Sequence, residues 1–286
     1  MHVDRYGYAG SPIVLLHGFP TSAFLWRDVG FRLARLRHVA YAPDLLGYGE
    51  SDRPFDAAFG LAAQADYLDR ALTSLRIARA TVVGVDLGGL VALRLAAVRP
   101  ERVAGLVIIN QPSLDRIPGK DVAMLHRQSV RFAVRISRSV TGAASLLQPI
   151  LRRSVSDPDR WMPPRLVARY VAPFVGRDGV ANLYALTRSI RRADVDEIPL
   201  ERIAAPTLVV RSQHDEWVDH EPAEQLAESI PNAQLVRVAG AGRLLPEERP
   251  DHVAQLIHAF DAGQAVESAE PAASEAVNGA AGITAL

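Results

Sequence analysis

The sequence predicts an α/β fold: a mostly parallel central sheet flanked by helices, with a helical cap inserted into it. Three observations carry this. Short continuous apolar runs alternate with helical patterns through the first 110 residues. Strand signals then vanish from about 111 to 200, where Pro118, Pro149, Pro158, Pro163, Pro164, Pro173 and Pro199 punctuate a series of helical segments. The alternation resumes near residue 201 and closes on an amphipathic helix.

Taken in order, Ile13-Val14-Leu15-Leu16 is an unbroken apolar run ending at His17-Gly18, as expected of a central strand covered on both faces. Residues 22–35 read as a helix, with Phe24, Leu25, Val29, Leu33 and Leu36 near helical spacing. Val39 to Ala42 is a second strand, stopped by Pro43 and followed by a loop rich in Gly and Asp. Leu61, Leu68, Leu72 and Leu75 fall on one helical face. A strand from Thr81 to Val85, a helix from Gly88 to Arg99 and a strand from Val103 to Ile109 follow. Beyond the insertion come strands at Thr207–Arg211 and Gln234–Val238. In the last helix Val253, Leu256, Ile257 and Phe260 stand at i, i+3, i+4 and i+7. The expected organisation is therefore a core of residues 1–110 and 201–262, a cap of 111–200, and a disordered tail over 263–286, which is Ala, Glu, Gly and Ser without periodicity.

Composition narrows the function. A chain of 286 residues, 49% hydrophobic, can bury one large core or a core plus a lid. Its net charge is zero and its arginines are scattered, with Lys120 the only lysine, so nothing favours nucleic acid or a membrane surface as partner. Without cysteine there is no thiol or disulfide chemistry. No basic start precedes an apolar run, and no apolar stretch is long enough to span a bilayer; a cytoplasmic protein, monomer or homodimer, is expected. No cofactor and no metal is expected.

The chemistry concentrates at Gly84-Val85-Asp86-Leu87-Gly88, a strand running into a glycine-bracketed turn with an acid at its apex. A carboxylate there can attack a carbon centre and form an ester, which a general base must then open with water. The competing structural role is a plain helix N-cap. Together with His17-Gly18-Phe19-Pro20, Pro43-Asp44-Leu45-Leu46-Gly47-Tyr48-Gly49-Glu50-Ser51-Asp52 and Pro246-Glu247-Glu248-Arg249-Pro250, this motif makes residues 7–261 resemble α/β-hydrolases of the epoxide hydrolase and haloalkane dehalogenase branch. The resemblance implies Asp86 as nucleophile, backbone N–H groups of Phe19 and Leu87 as oxyanion hole, and Asp215 as the acid that orients the base. It also implies Tyr170 and Tyr184 as cap tyrosines able to polarise an epoxide oxygen. Trp26, Trp161 and Trp217 are candidates to line an apolar pocket, with plain packing as the alternative for each.

One position departs from the family. Where relatives carry Gly-His, this chain carries Gly242-Arg243, and the matches on both sides fix the register. A guanidinium stays protonated far above neutral pH and cannot take a proton from water; it can pair with Asp86 and blunt it as a nucleophile. His214, beside Asp215, is the candidate alternative base, and His17 reads as a structural residue of the His-Gly turn. Signals of dehalogenase specificity are lacking: Leu87 and Phe19 stand where dehalogenases place a halide-holding Trp and Asn, and Leu87 and Leu90 where fluoroacetate dehalogenases place arginines. Three readings follow for an apolar small-molecule substrate. They are an epoxide hydrolase-like enzyme with altered water activation, a repurposed lyase, isomerase or cyclase, and an inactive binder.

Overall fold

The computed structural model describes residues 1–112, 114, 117, 120–125, 144–214 and 221–266. Its strands are β1 (Val3–Tyr6), β2 (Ser11–Leu16), β3 (His38–Pro43), β4 (Ala80–Val85), β5 (Val103–Ile109), β6 (Thr207–Ser212) and β7 (Ala233–Val238). They form one sheet in the order β1-β3-β2-β4-β5-β6-β7. β1 runs antiparallel to β3 and every other pairing is parallel. The α/β fold expected from the sequence is the observed one. β1 is an addition to it: Val-Asp-Arg-Tyr has no apolar run because at this edge of the sheet none of its residues is fully buried.

The helices are α1 (Arg27–Arg35), α2 (Leu61–Ser74), α3 (Leu87–Val98), α4 (Lys120–Leu125), α5 (Ala144–Arg153), α6 (Pro158–Trp161), α7 (Pro164–Val171), α8 (Gly176–Ser189), α9 (Arg192–Asp196), α10 (Glu221–Ser229), α11 (Leu245–Glu248) and α12 (Pro250–Asp261). The helix expected over 22–35 is split into a 3-10 turn at Ala23–Trp26 and α1. α4 to α9 all lie between β5 and β6. Most of the 263–286 segment lies outside the described residues.

Topology positions the site. From β2 the chain steps outward to β3, then returns past β2 to β4 on its other side. Right-handed crossovers in opposite directions put α1 and α2 on opposite faces. α1 packs with α12, and α2 with α3. Both faces of the sheet are thus covered, which is why Ile13 to Leu16 are 0% exposed and β4 is buried along its length. The reversal opens a crevice at the carboxyl ends of β2 and β4. Leu16 pairs with Gly84 there, so the chain leaves both strands side by side.

The opposite rim carries a hydrogen-bonded chain that ties α12 to three strands. Thr81 Oγ1 and Ser11 Oγ both donate to Asp261, at 2.5 and 2.7 Å. With its only proton so used, Ser11 Oγ accepts from His38 Nδ1 at 2.8 Å. His38 Nε2 is then the acceptor for His258 Nδ1, also at 2.8 Å. This order requires a neutral His38, and its basicity is lowered by burial, with Asp261 opposing and His258 adding to the effect. Above the ordinary imidazole value of ~6.5 both folded and unfolded states are neutral; below it the unfolded chain gains a proton that the folded one resists. Stability therefore falls as the solution is acidified through that value. The expected result is a drop in the urea midpoint between about pH 7.5 and about pH 5.5 that shrinks measurably in His38→Gln.

Candidate active site

Asp86 connects β4 to α3 at φ 52°, ψ −122°, a left-handed conformation that costs a non-glycine residue of order 1–3 kcal/mol. The turn closes because its neighbours lack side chains. A Cβ on Gly88 would stand 2.5 Å from the His17 carbonyl oxygen, and one on Gly18 would stand 2.5 Å from Asp86 Cβ. That clearance lets the β2 loop reach the acid: the Phe19 N–H donates to Asp86 Oδ2 at 2.8 Å. The Asp86 N–H donates to the Ile109 carbonyl at 3.1 Å. Leu87, the first residue of α3, is 6% exposed, and helix geometry leaves its N–H without an intrahelical acceptor.

The guanidinium of Arg243 donates to Asp86 Oδ1. Both side chains are largely withdrawn from solvent, at 14% exposure for Arg243 and 4% for Asp86. Each carboxylate oxygen of Asp86 thus accepts a hydrogen bond, one from a cation and one from the backbone.

Two buried side chains that sequence reasoning passed over hold Arg243 in place. Asn110, at φ 45° just past β5, donates from Nδ2 to the Arg243 carbonyl at 3.0 Å and to Ser212 Oγ at 2.8 Å. Its Oδ1 accepts from the Ser212 N–H at 2.8 Å. Glu248 accepts from the Gly242 N–H at 2.8 Å through Oε1, and from the Ser156 N–H at 3.2 Å and the Ser156 hydroxyl through Oε2. Burial raises its pKa, against the lowering effect of those hydrogen bonds. The only sequence signal was Pro246–Pro250, which marks the segment but not the partners of its acids.

Neither His17 nor His214 hydrogen-bonds through its ring to the acid. His17 is 0% exposed; its Nε2 accepts from the Leu45 N–H at 3.0 Å and its Nδ1 donates to the Gly18 carbonyl at 3.0 Å. Burial lowers its basicity, with Asp44 the main opposing influence. Both nitrogens are committed to the loop. His214 is exposed and makes no side-chain hydrogen bond to Asp86; its backbone N–H donates to the Ala241 carbonyl at 3.0 Å.

The two tyrosines expected over the site diverge. Tyr170, on α7, is 2% exposed and its hydroxyl donates to Glu247, so it is engaged with that acid instead of with Asp86. Tyr184, on α8, is half-buried with its hydroxyl oxygen enclosed. Asp215 and Trp217 lie outside the described residues. Tyr48, from the second motif, was not singled out. It is buried with its ring edge-on to His17 at 5.2 Å, and burial followed by the charge of Asp86 raises its phenol pKa. Near it Asn182 Nδ2 donates to the Gly47 carbonyl at 2.7 Å, docking α8 on the loop after β3. Among the described residues no cluster of His, Asp and Glu is arranged to hold a metal ion, and no helix is long and apolar enough to cross a membrane.

The model of the alpha/beta hydrolase fold family matches residues 11–250. The chain belongs to that family. It is 28% identical to a haloalkane dehalogenase of Bradyrhizobium diazoefficiens over 93% of this chain and 91% of that one. With a 2-hydroxymuconate semialdehyde hydrolase of Pseudomonas sp. (strain CF600) it shares 29% identity over 88% and 87%. A solved epoxide hydrolase, CorEH, superposes with a TM-score of 0.76 at 24% identity, covering 92% of this chain and 94% of that one, a likeness of fold. The chain is thus a member of the α/β-hydrolase fold family, similar in sequence to a haloalkane dehalogenase and a semialdehyde hydrolase and sharing the fold of an epoxide hydrolase.

Proposed function

We propose that this α/β-hydrolase accepts an alkyl group from an apolar epoxide onto Asp86 and releases it slowly, because a permanent cation stands where a general base would be needed. The observation that carries this is the Arg243 guanidinium donating to Asp86 Oδ1. In the first half-reaction a carboxylate oxygen of Asp86 attacks an epoxide carbon, and the carbon–oxygen bond of the ring breaks. The ring oxygen leaves as an alkoxide that takes a proton from solvent. Arg243 helps here, since a nearby cation stabilises the developing negative oxygen.

The second half-reaction differs. Water must attack the ester carbonyl while losing a proton, and a guanidinium cannot accept one. Loss of the general base alone removes about 10²–10⁴ in rate. Neither His17, bonded through both nitrogens, nor the exposed His214 is set against Asp86 to replace it. Phe19 and Leu87 act as the oxyanion donors in this scheme, and Asp215 as the third polar member.

A non-hydrolytic reading draws on the same pair. With hydrogen bonds on both carboxylate oxygens, Asp86 is held as a fixed anion that moves a proton while Arg243 steadies an anionic oxygen of a lyase, isomerase or cyclase substrate. Intact-mass analysis after incubation with styrene oxide separates the two. The alkyl-acceptor reading expects one added substrate mass in wild type and none in Asp86→Asn. An unmodified wild type would overturn the alkyl-acceptor reading.

A further inference from the structure

One buried donor beside the elbow is unused by the scheme above. Gln111 is the second residue past the end of β5; it is 5% exposed, and its Nε2 has no hydrogen-bond partner. Buried side-chain polar atoms are nearly always partnered, because an unmet donor loses its hydration and receives nothing in return. The side chain is rooted beside the elbow. Gln111 Cβ lies 3.3 Å from where a Cβ on Gly89 would stand, so the side chain starts against the first turn of α3. That turn opens a 12-residue helix whose amino end carries the positive end of the helix dipole, with the Gly89 N–H itself donating to the Asp86 carbonyl at 3.0 Å. The preceding residue, Asn110, reaches the other way, to Ser212 and the Arg243 carbonyl.

We infer that Gln111 is a substrate-binding residue whose amide N–H holds an oxygen acceptor of a neutral, otherwise apolar small molecule. Neutrality follows from the charges. Arg243 is already matched by Asp86, and an amide adds a dipole without adding charge, so the pair leaves no net positive charge to balance an anionic ligand. The surroundings are apolar: Leu87, Leu90 and Ile108 are buried at the same end of α3 and β5. The inference rests on Asp86 marking the binding cleft, and it does not require Asp86 to be alkylated.

The test compares binding of 2-phenylacetamide, which offers a carbonyl oxygen, with propylbenzene, which offers none, by calorimetric titration of the full chain. Wild type, Gln111→Leu and the shape-conserving Gln111→Met are measured together. Both variants are expected to lose about tenfold in amide affinity, while their propylbenzene affinity stays within about twofold of wild type. Removing an unmet donor does not unfold the chain, so their melting temperatures match or exceed that of wild type. Three results overturn the proposal: wild type failing to bind the amide, the variants keeping the wild-type ratio of affinities, or both variants melting several degrees lower. None involves covalent chemistry. An Asp86 that forms no ester leaves this proposal standing, and an unchanged affinity ratio with ester formation intact removes it alone.

Discussion

Arg243→His is expected to turn a slow, accumulating reaction into repeated turnover, with diol release from styrene oxide rising by about 10²-fold or more. The substitution restores a group that can be neutral at pH 7 and accept a proton from water. The loop is already clamped, since the Arg243 carbonyl is held by Asn110 and the Gly242 N–H by Glu248. Those bonds are to the backbone and survive a change of side chain. A shorter imidazole also frees Asp86 Oδ1 from its cation. Styrene oxide consumption and diol release, followed separately by chromatography, check this. Wild type should consume about one equivalent and release little, and the variant should release what it consumes.

The second large effect is on stability. Glu247 is 3% exposed, receives both Nη groups of Arg27 at 2.7 and 2.8 Å, and accepts the Tyr170 hydroxyl. It thus joins α1, α11 and α7. Burial works against the Arg27 charge, and the hydrogen-bonded Glu247 carboxylate overrides it to raise the pKa of Arg27. Burial followed by Glu247 raises that of Tyr170. Removing one partner of such a cluster leaves an uncompensated charge and costs about 3 kcal/mol, taken at the low end because the Arg27 side chain is 26% exposed. Glu247→Gln should therefore melt roughly 6–12 °C below wild type. The combined variant Arg27→Met, Glu247→Leu, Tyr170→Phe, which removes the whole polar set, should lose much less. Calorimetric melting of both decides it.

What the sequence made legible depended on distance along the chain. Continuous apolar runs such as Ile13–Leu16 marked the inner strands because both faces of those strands are covered. The same rule hid β1, an edge strand of four residues with no such run. The elbow at Asp86 was readable because its geometry is local and demands small neighbours at fixed offsets. Position 243 was readable because Gly242 and Pro246 set the register around it. Partners far apart in sequence were not. Asn110 meets Arg243 across 133 positions and Tyr170 meets Glu247 across 77, and no periodicity encodes either. Tyr170 illustrates the consequence: a hydroxyl expected to polarise an epoxide oxygen is bound to an acid of α11. The orphaned amide of Gln111 is likewise a property of packing, since a glutamine after a strand carries no signal of its own.

The central claim is that a guanidinium facing Asp86 permits the acid to be alkylated and withholds the means of freeing it. Its most direct test is a quenched-flow count of diol released per enzyme molecule when wild type is mixed with excess styrene oxide. The account predicts that release stays below one equivalent while Asp86 accumulates as the ester. Many equivalents released, with no ester trapped on Asp86 at any time, would contradict it.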